Sequence, residues 1–101
     1  MEIKQTTNNN RAILSLGGRF DFNVHREFKE AYMPLLIDEA IESVEINLAE
    51  VDYLDSSALG MMLMLRERAQ AGNKEISLNS PNHTVMQILD IANFKKLFTI
   101  V

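Results

Sequence analysis

The side chains able to do chemistry in this chain gather around Asp55-Ser56-Ser57, with Asp21, His25 and His83 elsewhere and no cysteine anywhere. Two hydroxyls follow a carboxylate and precede the apolar run Ala58-Leu59-Gly60-Met61-Met62, which is where a helix is expected to begin. A helix start presents unpaired backbone N–H groups and the positive end of the macrodipole, so an oxyanion or phosphate is favoured there. A serine held at that point is exposed and can carry a phosphate without wrecking the fold. The plainer account is that Asp and Ser are ordinary caps, and most such triplets do nothing more. Asp55 either caps the helix or orients the Ser56 hydroxyl. Ser57 is a partial cap or a donor within the helix, and Asp21 reads as a carboxylate at the N-terminus of a helix.

Other chemistries fit less well. Ser56 with a histidine and an aspartate could form a hydrolase triad, but the chain has no Gly-x-Ser-x-Gly elbow and little room for a substrate pocket. His25 and His83 lack the spacing of metal ligands. Without cysteine there are no thiolate sites and no disulfides. Neither a metal nor a cofactor is expected, and the chain does not read as an enzyme.

The elements that must position these residues follow from periodicity. Glu2 to Thr6 reads as a short edge strand, and Asn8-Asn9-Asn10 is a turn signal because Asn tolerates left-handed backbone. Arg11 to Leu16 alternates, with Ala12, Leu14 and Leu16 on one face, and Gly17-Gly18 is expected to stop that strand. From Val24 to about Ser43 apolar residues recur at three- and four-residue spacing (Phe28, Ala31, Tyr32, Leu35, Leu36, Ala40), a helical pattern with Asn23 as its N-cap. Pro34 inside it should kink or break the helix. Val44, Ile46 and Leu48 alternate as a strand, followed by a loop through Val51-Asp52-Tyr53-Leu54. A second helix runs from Asp55-Ser56-Ser57 to about Ala71 and stops at Gly72-Asn73. Glu75 to Leu78 is a strand, His83 to Ile91 a third helix, and Leu97 to Val101 a last strand.

Alternating helices and strands of this kind call for parallel neighbours joined by helical crossovers. The expectation is one α/β domain spanning 1–101, a mixed and mostly parallel sheet of four to five strands with helices mainly on one face. There is no internal repeat, linker or low-complexity segment.

Composition narrows the function classes. The formal net charge is −4, and the only adjacent basic pair is Lys95-Lys96, so no nucleic-acid partner is expected. No apolar run approaches the roughly 18 residues of a membrane span. Met1 to Gln5 has neither a basic region nor an apolar one, so no secretory signal is expected and the cytoplasm is the expected location, with no membrane partner.

The stretch Val44 to Gly60, VEINLAEVDYLDSSALG, resembles the signature of STAS-domain anti-sigma factor antagonists. There an apolar strand leads to Asp-Ser-(Ser or Thr)-Gly-Leu-Gly. Gly18-Arg19-Phe20-Asp21 resembles the Gly-x-Leu-Asp stretch after that family's second strand, and the order of elements matches over nearly the full chain. Ala58 stands where Gly is usual, and the first helix with Pro34 looks slightly long. The Gly-Arg-Phe-Asp-Phe-x-x-His segment looks like the branch of the family that works with two-component-type regulators of motility and biofilm formation.

The resemblance implies a phosphoprotein acting in signal transduction and transcription regulation. Ser56 is the implied phospho-acceptor, and an anti-sigma factor or related serine kinase is the implied partner. A metal-dependent serine/threonine phosphatase, or a response regulator carrying one, would reverse the reaction. Asp21, Asp55, Ser56, Ser57, Leu59, Met61 and Met62 are the implied partner-binding residues, although core packing accounts for most of the apolar circumference of the second helix. The unphosphorylated form would bind the anti-sigma factor and free the sigma factor. A cyclic-dinucleotide enzyme is a further implied partner of the same face. The competing reading is a STAS module used as a non-switching structural subunit of a lipid-transport or stress-sensing assembly.

Overall fold

A computed structural model describes all of residues 1–101. Strands β1 (Glu2–Asn8) and β2 (Arg11–Phe20) form a hairpin closed by Asn9-Asn10, with Asn9 in the left-handed region at φ 57°. A 3-10 turn at Phe22–Val24 leads into α1 (His25–Ile37). Then follow β3 (Ser43–Leu54), α2 (Ser56–Ala71), β4 (Glu75–Asn79), α3 (His83–Ile91), a second 3-10 turn at Phe94–Lys96 and the short β5 (Thr99–Ile100). The sheet order is β1-β2-β3-β4-β5, antiparallel between β1 and β2 and parallel from β2 onward.

Each helical crossover moves one strand along in the same direction. Right-handed crossovers then place all three helices on one face. Burial agrees: Ala12, Leu14 and Leu16 of β2, Val44, Ile46 and Leu48 of β3 and Leu78 of β4 are buried, while Ser15, Glu45, Asn47 and Ser77 between them are partly exposed. One core collects those strand residues with Phe28 and Tyr32 of α1, Met62 and Leu65 of α2, and Val85 and Leu89 of α3. This is the one-sided, mostly parallel sheet expected from the alternating pattern.

The boundaries differ in places that matter for the site. β2 does not stop at Gly17-Gly18; it runs through both to Phe20. Nor does β3 give way to a loop after Leu48; it reaches Leu54. Between β2 and β3 the pairing passes from Ser15↔Asn47 to Gly17↔Glu50 and from Gly18↔Val51 to Arg19↔Tyr53, so β3 holds one extra residue at each step. Each such bulge reverses the inward–outward phase of the strand. Leu48, Val51 and Leu54 therefore all point inward although they are spaced by three, a spacing that resembles no strand in the sequence. Gly18 adopts φ +93°, where a side chain would be strained.

Helix α1 also departs from expectation. It continues through Pro34 and ends at Ile37 rather than near Ser43. Asp38 leaves helical backbone, its N–H still donating to the Pro34 carbonyl at 3.2 Å, and its Oδ1 accepts from Ala40 N at 2.9 Å to close the turn. Lys74 Nζ then binds the carbonyls of Asp38 and Ile41 and fastens this turn to the start of β4. Asn23 is not the cap of α1. Its N–H donates to Asp21 Oδ1 at 3.0 Å, so Asp21 caps the 3-10 turn, and α1 follows directly with no side-chain cap. The left-handed residue after α2 is Asn73, at φ 58°, while Gly72 keeps a negative φ.

Candidate functional site

Parallel strands β2 and β3 end at the same edge of the sheet, so the loops that follow them meet there. Open α/β sheets place ligand and partner sites at the carboxyl ends of their strands for this reason. The two bulges bring Phe20 opposite Leu54, and Asp55 N donates to the Phe20 carbonyl at 3.2 Å. Asp55 is the joint between the loops. Its Oδ1 accepts from Ala58 N at 2.9 Å, capping α2, and its Oδ2 accepts from Phe22 N at 3.3 Å across the gap. Both carboxylate oxygens are thus engaged with backbone N–H groups. Of the two roles open to Asp55, capping is the one the geometry carries.

Ser56 is the first residue of α2 and exposed, and Ser57 beside it is half-buried. Neither hydroxyl has a hydrogen-bond partner within the protein, nor does either histidine bond to a serine. Asp21 is half-buried on the neighbouring loop, with Arg19 Nε at 3.6 Å from its Oδ2. The Arg19 guanidinium also lies over the Tyr53 ring, 4.3 Å from its centroid, a cation–π contact that braces the last residues of β2 against those of β3. On a third loop, Asn82 caps α3 by accepting from Val85 N at 2.8 Å and donates through Nδ2 to the Val51 carbonyl at 2.8 Å.

Asp21, Asp55, Ser56 and Ser57 are therefore brought to one edge. Along α2 the expectation for the methionines needs correcting. Ala58, Met62, Leu65 and Ala69 are fully buried, and Met61 is nearly so. Met62 faces the core and presents nothing to a partner; Leu59 is half-buried against that core. Apolar side chains exposed near this end include Met64 at 44% and Leu63 at 38% on α2, Phe22 at 68% on the facing loop, and Tyr53 under the Arg19 guanidinium. Met64 is separable from Met62 by helical phase: once 58, 62, 65 and 69 form the inward stripe, 57, 60, 64 and 68 form the stripe beside it. Phe22 has no such signal, because its exposure follows from the turn that Asp21 and Asp55 build.

A first prediction concerns this joint. Removing an N-cap costs about 1 kcal/mol, and losing the further bond to Phe22 N adds about 0.5–1 kcal/mol. In a domain of this size Asp55→Ala should therefore lower the melting temperature by about 6–15 °C. Asp55→Asn, which keeps one acceptor oxygen, should lose less than half of that. Thermal unfolding followed by circular dichroism measures both, and an Asp55→Ala protein melting like wild type would show that the carboxylate does not hold the loops.

Residues 3–100 match the family model described as Mlab, STAS domain. The chain is similar to a STAS-domain containing protein of Pseudomonas aeruginosa (strain UCBPP-PA14), 42% identical over 87 residues that cover 86% of this chain and 84% of that one. It is also similar to the anti-sigma-B factor antagonist of Staphylococcus epidermidis, 25% identical over 97 residues, 96% of this chain and 89% of that one. Among solved structures, the anti-sigma factor antagonist SpoIIAA in its unphosphorylated form aligns with a TM-score of 0.78 at 15% identity, over 99% of this chain and 87% of that one. The Bacillus SpoIIAA in its phosphorylated form aligns with a TM-score of 0.76 at 14% identity, over 99% and 91%. At these identities the structural likeness shows the fold.

Proposed function

Because this chain belongs to the STAS domain family, we propose that it is an anti-sigma factor antagonist switched by reversible phosphorylation of Ser56. The observation that carries the reading is the placement of Ser56: exposed, first in α2, its hydroxyl unengaged, directly after Asp55, whose two carboxylate oxygens are both taken by backbone N–H groups. The similarity to the staphylococcal anti-sigma-B factor antagonist supports the same reading. SpoIIAA has been solved with and without its phosphate, which supports a fold of this type carrying the modification.

In the unphosphorylated form the Asp21 and Asp55-Ser56-Ser57 loops, with the exposed flank of α2, bind an anti-sigma factor that is also a serine kinase. The sigma factor is released and its genes are transcribed. The kinase transfers the γ-phosphoryl group of its ATP to Ser56 Oγ; the bond to the ADP oxygen breaks, a new P–O bond forms, and a base on the kinase takes the hydroxyl proton. A serine/threonine phosphatase restores the hydroxyl by hydrolysis to inorganic phosphate. The nucleotide belongs to the kinase, which places the cycle in the cytoplasm; this protein acts by binding and not as an enzyme. No helix is long and apolar enough to cross a membrane.

A phosphate adds about −1.5 to −2 charges where the partner had met a neutral hydroxyl. The free protein tolerates that charge, because it lies at the positive end of the α2 dipole. The complex does not, because the charge is desolvated or faces like charge. A second reading, a STAS subunit that holds an assembly without a phosphate switch, is favoured by one observation: the matched family model is described as Mlab, not as an antagonist.

Incubation with ATP and an extract of the source cells, followed by intact-mass measurement, tests the two. One added phosphate is expected on wild type and on Ser57→Ala, and none on Ser56→Ala. A wild-type protein that stays unmodified overturns the assignment and leaves the non-switching subunit, and a Ser56→Ala protein that still gains a phosphate overturns Ser56 as the acceptor.

A further inference from the structure

Beside Ser56, α1 and α2 leave between them an open groove of about 510 Å³. Its floor is apolar: Phe28, Tyr32 and Met61 are buried below, and Phe22 and Met64 stand exposed at its rim. Its charged groups are of one sign. Lys29 lines it from α1 and Arg68 from α2, His25 stands at the end near Ser57, and no aspartate or glutamate lines it, in a chain whose net charge is −4. Arg68 is held in place, its Nη1 donating to the Tyr32 hydroxyl at 2.6 Å. The α2 wall from Ser57 to Arg68 extends about 16 Å at 1.5 Å per residue, the length of about three helical turns.

We infer that this groove receives an amphipathic helix of a protein partner, with an apolar stripe flanked by aspartate and glutamate. This rests on the binding function proposed above and names the partner chemistry of that same site. An apolar trough with a cationic rim selects for such a segment by charge complementarity, and an exposed methionine beside an exposed phenylalanine adapts to side chains of different shape. Because Ser57 belongs to the groove and Ser56 precedes it, a phosphate on Ser56 adds negative charge beside the acidic helix. Repulsion between the two then gives the switch its sign.

Selection from a display library of helical peptides of about 16 residues, some four turns, against the wild-type protein tests the inference directly. The enriched sequences should carry apolar residues at i, i+3, i+4 and i+7 with acidic neighbours. Such a peptide should bind Lys29→Glu about tenfold more weakly than wild type, as the reversal of a charge facing an acidic partner implies. Its affinity should also fall as salt is raised. Lys29 is exposed, so its variant should melt with wild type, and Met64→Asp, also at an exposed position, provides a second test of the rim. Enrichment of basic or uncharged sequences, or equal binding to wild type and both variants, overturns the groove. A peptide weakened by Lys29→Glu yet indifferent to Ser56→Asp supports the groove and overturns the phosphate switch. A cellular partner that leaves Ser56→Asp but binds Lys29→Glu and Met64→Asp as it binds wild type supports the switch and overturns the groove.

Discussion

Ser56→Asp, used as bait in the source-cell extract, is expected to lose a kinase-like partner that wild type and Ser56→Ala both retain. The expected loss is large because the two outcomes differ by a charge in a contact surface. An unpaired or like-facing charge at an interface costs roughly 2–4 kcal/mol, which is about 30- to 1,000-fold in affinity. Removing the hydroxyl alone should matter far less, since the Ser56 side chain makes no hydrogen bond within the protein and its backbone, not its oxygen, belongs to α2. Aspartate carries less charge than phosphoserine, so its effect is a lower bound for the modification. Titration of the recovered partner against each bait by calorimetry gives the ratio. If all three baits recover the same proteins with equal affinity, Ser56 is only the first residue of a helix, and the structural-subunit reading takes its place. Recovery of a cyclic-dinucleotide enzyme instead would keep the switch and move its output away from the sigma factor.

The second large effect separates two methionines that are two residues apart. Met62 is fully buried among strand and helix side chains, so Met62→Ala should lose about 2–5 kcal/mol through lost burial and the cavity left behind. Met64, 44% exposed, should change stability by less than about 0.5 kcal/mol when cut back to Ala. On partner binding the order should reverse: Met64→Ala weakens it and Met62→Ala leaves it unchanged under conditions where the variant is folded. Urea unfolding of both variants decides the stability half. Equal destabilisation by the two would mean that α2 is rotated from the orientation described.

What was legible in the sequence and what was not divide along the range of the forces involved. The start of α2 at Asp55-Ser56-Ser57 and its stop near Gly72 are local: a cap, an apolar run and a left-handed Asn73 act within one turn of the residues that encode them. The same holds for the alternation of Ala12, Leu14 and Leu16 and of Val44, Ile46 and Leu48, from which a one-sided sheet follows. α3 at His83–Ile91 was equally readable.

The rest depended on partners distant in sequence. The reach of β3 to Leu54 was hidden because two bulges, visible only against β2, turn a spacing of three into a single buried face. The turn that ends α1 after Ile37 is fastened by Lys74, thirty-odd residues away, through the Asp38 and Ile41 carbonyls. The second bond of Asp55, to Phe22 N, requires that β2 and β3 end side by side. Which methionine of α2 is core and which is rim was set by the sheet the helix lies on.

The sequence by itself determined that a serine would stand at the head of a helix, with a buried strand and a short loop before it; that the strand reaches the helix without the loop was decided by the pairing with β2. Only the tertiary structure decided what lies beside that serine: the capped Asp21 turn, the exposed Phe22 and the cationic groove. Capping and periodicity act between near neighbours, whereas the juxtaposition of two loops is fixed by strand register and by burial, which are properties of the whole packed chain.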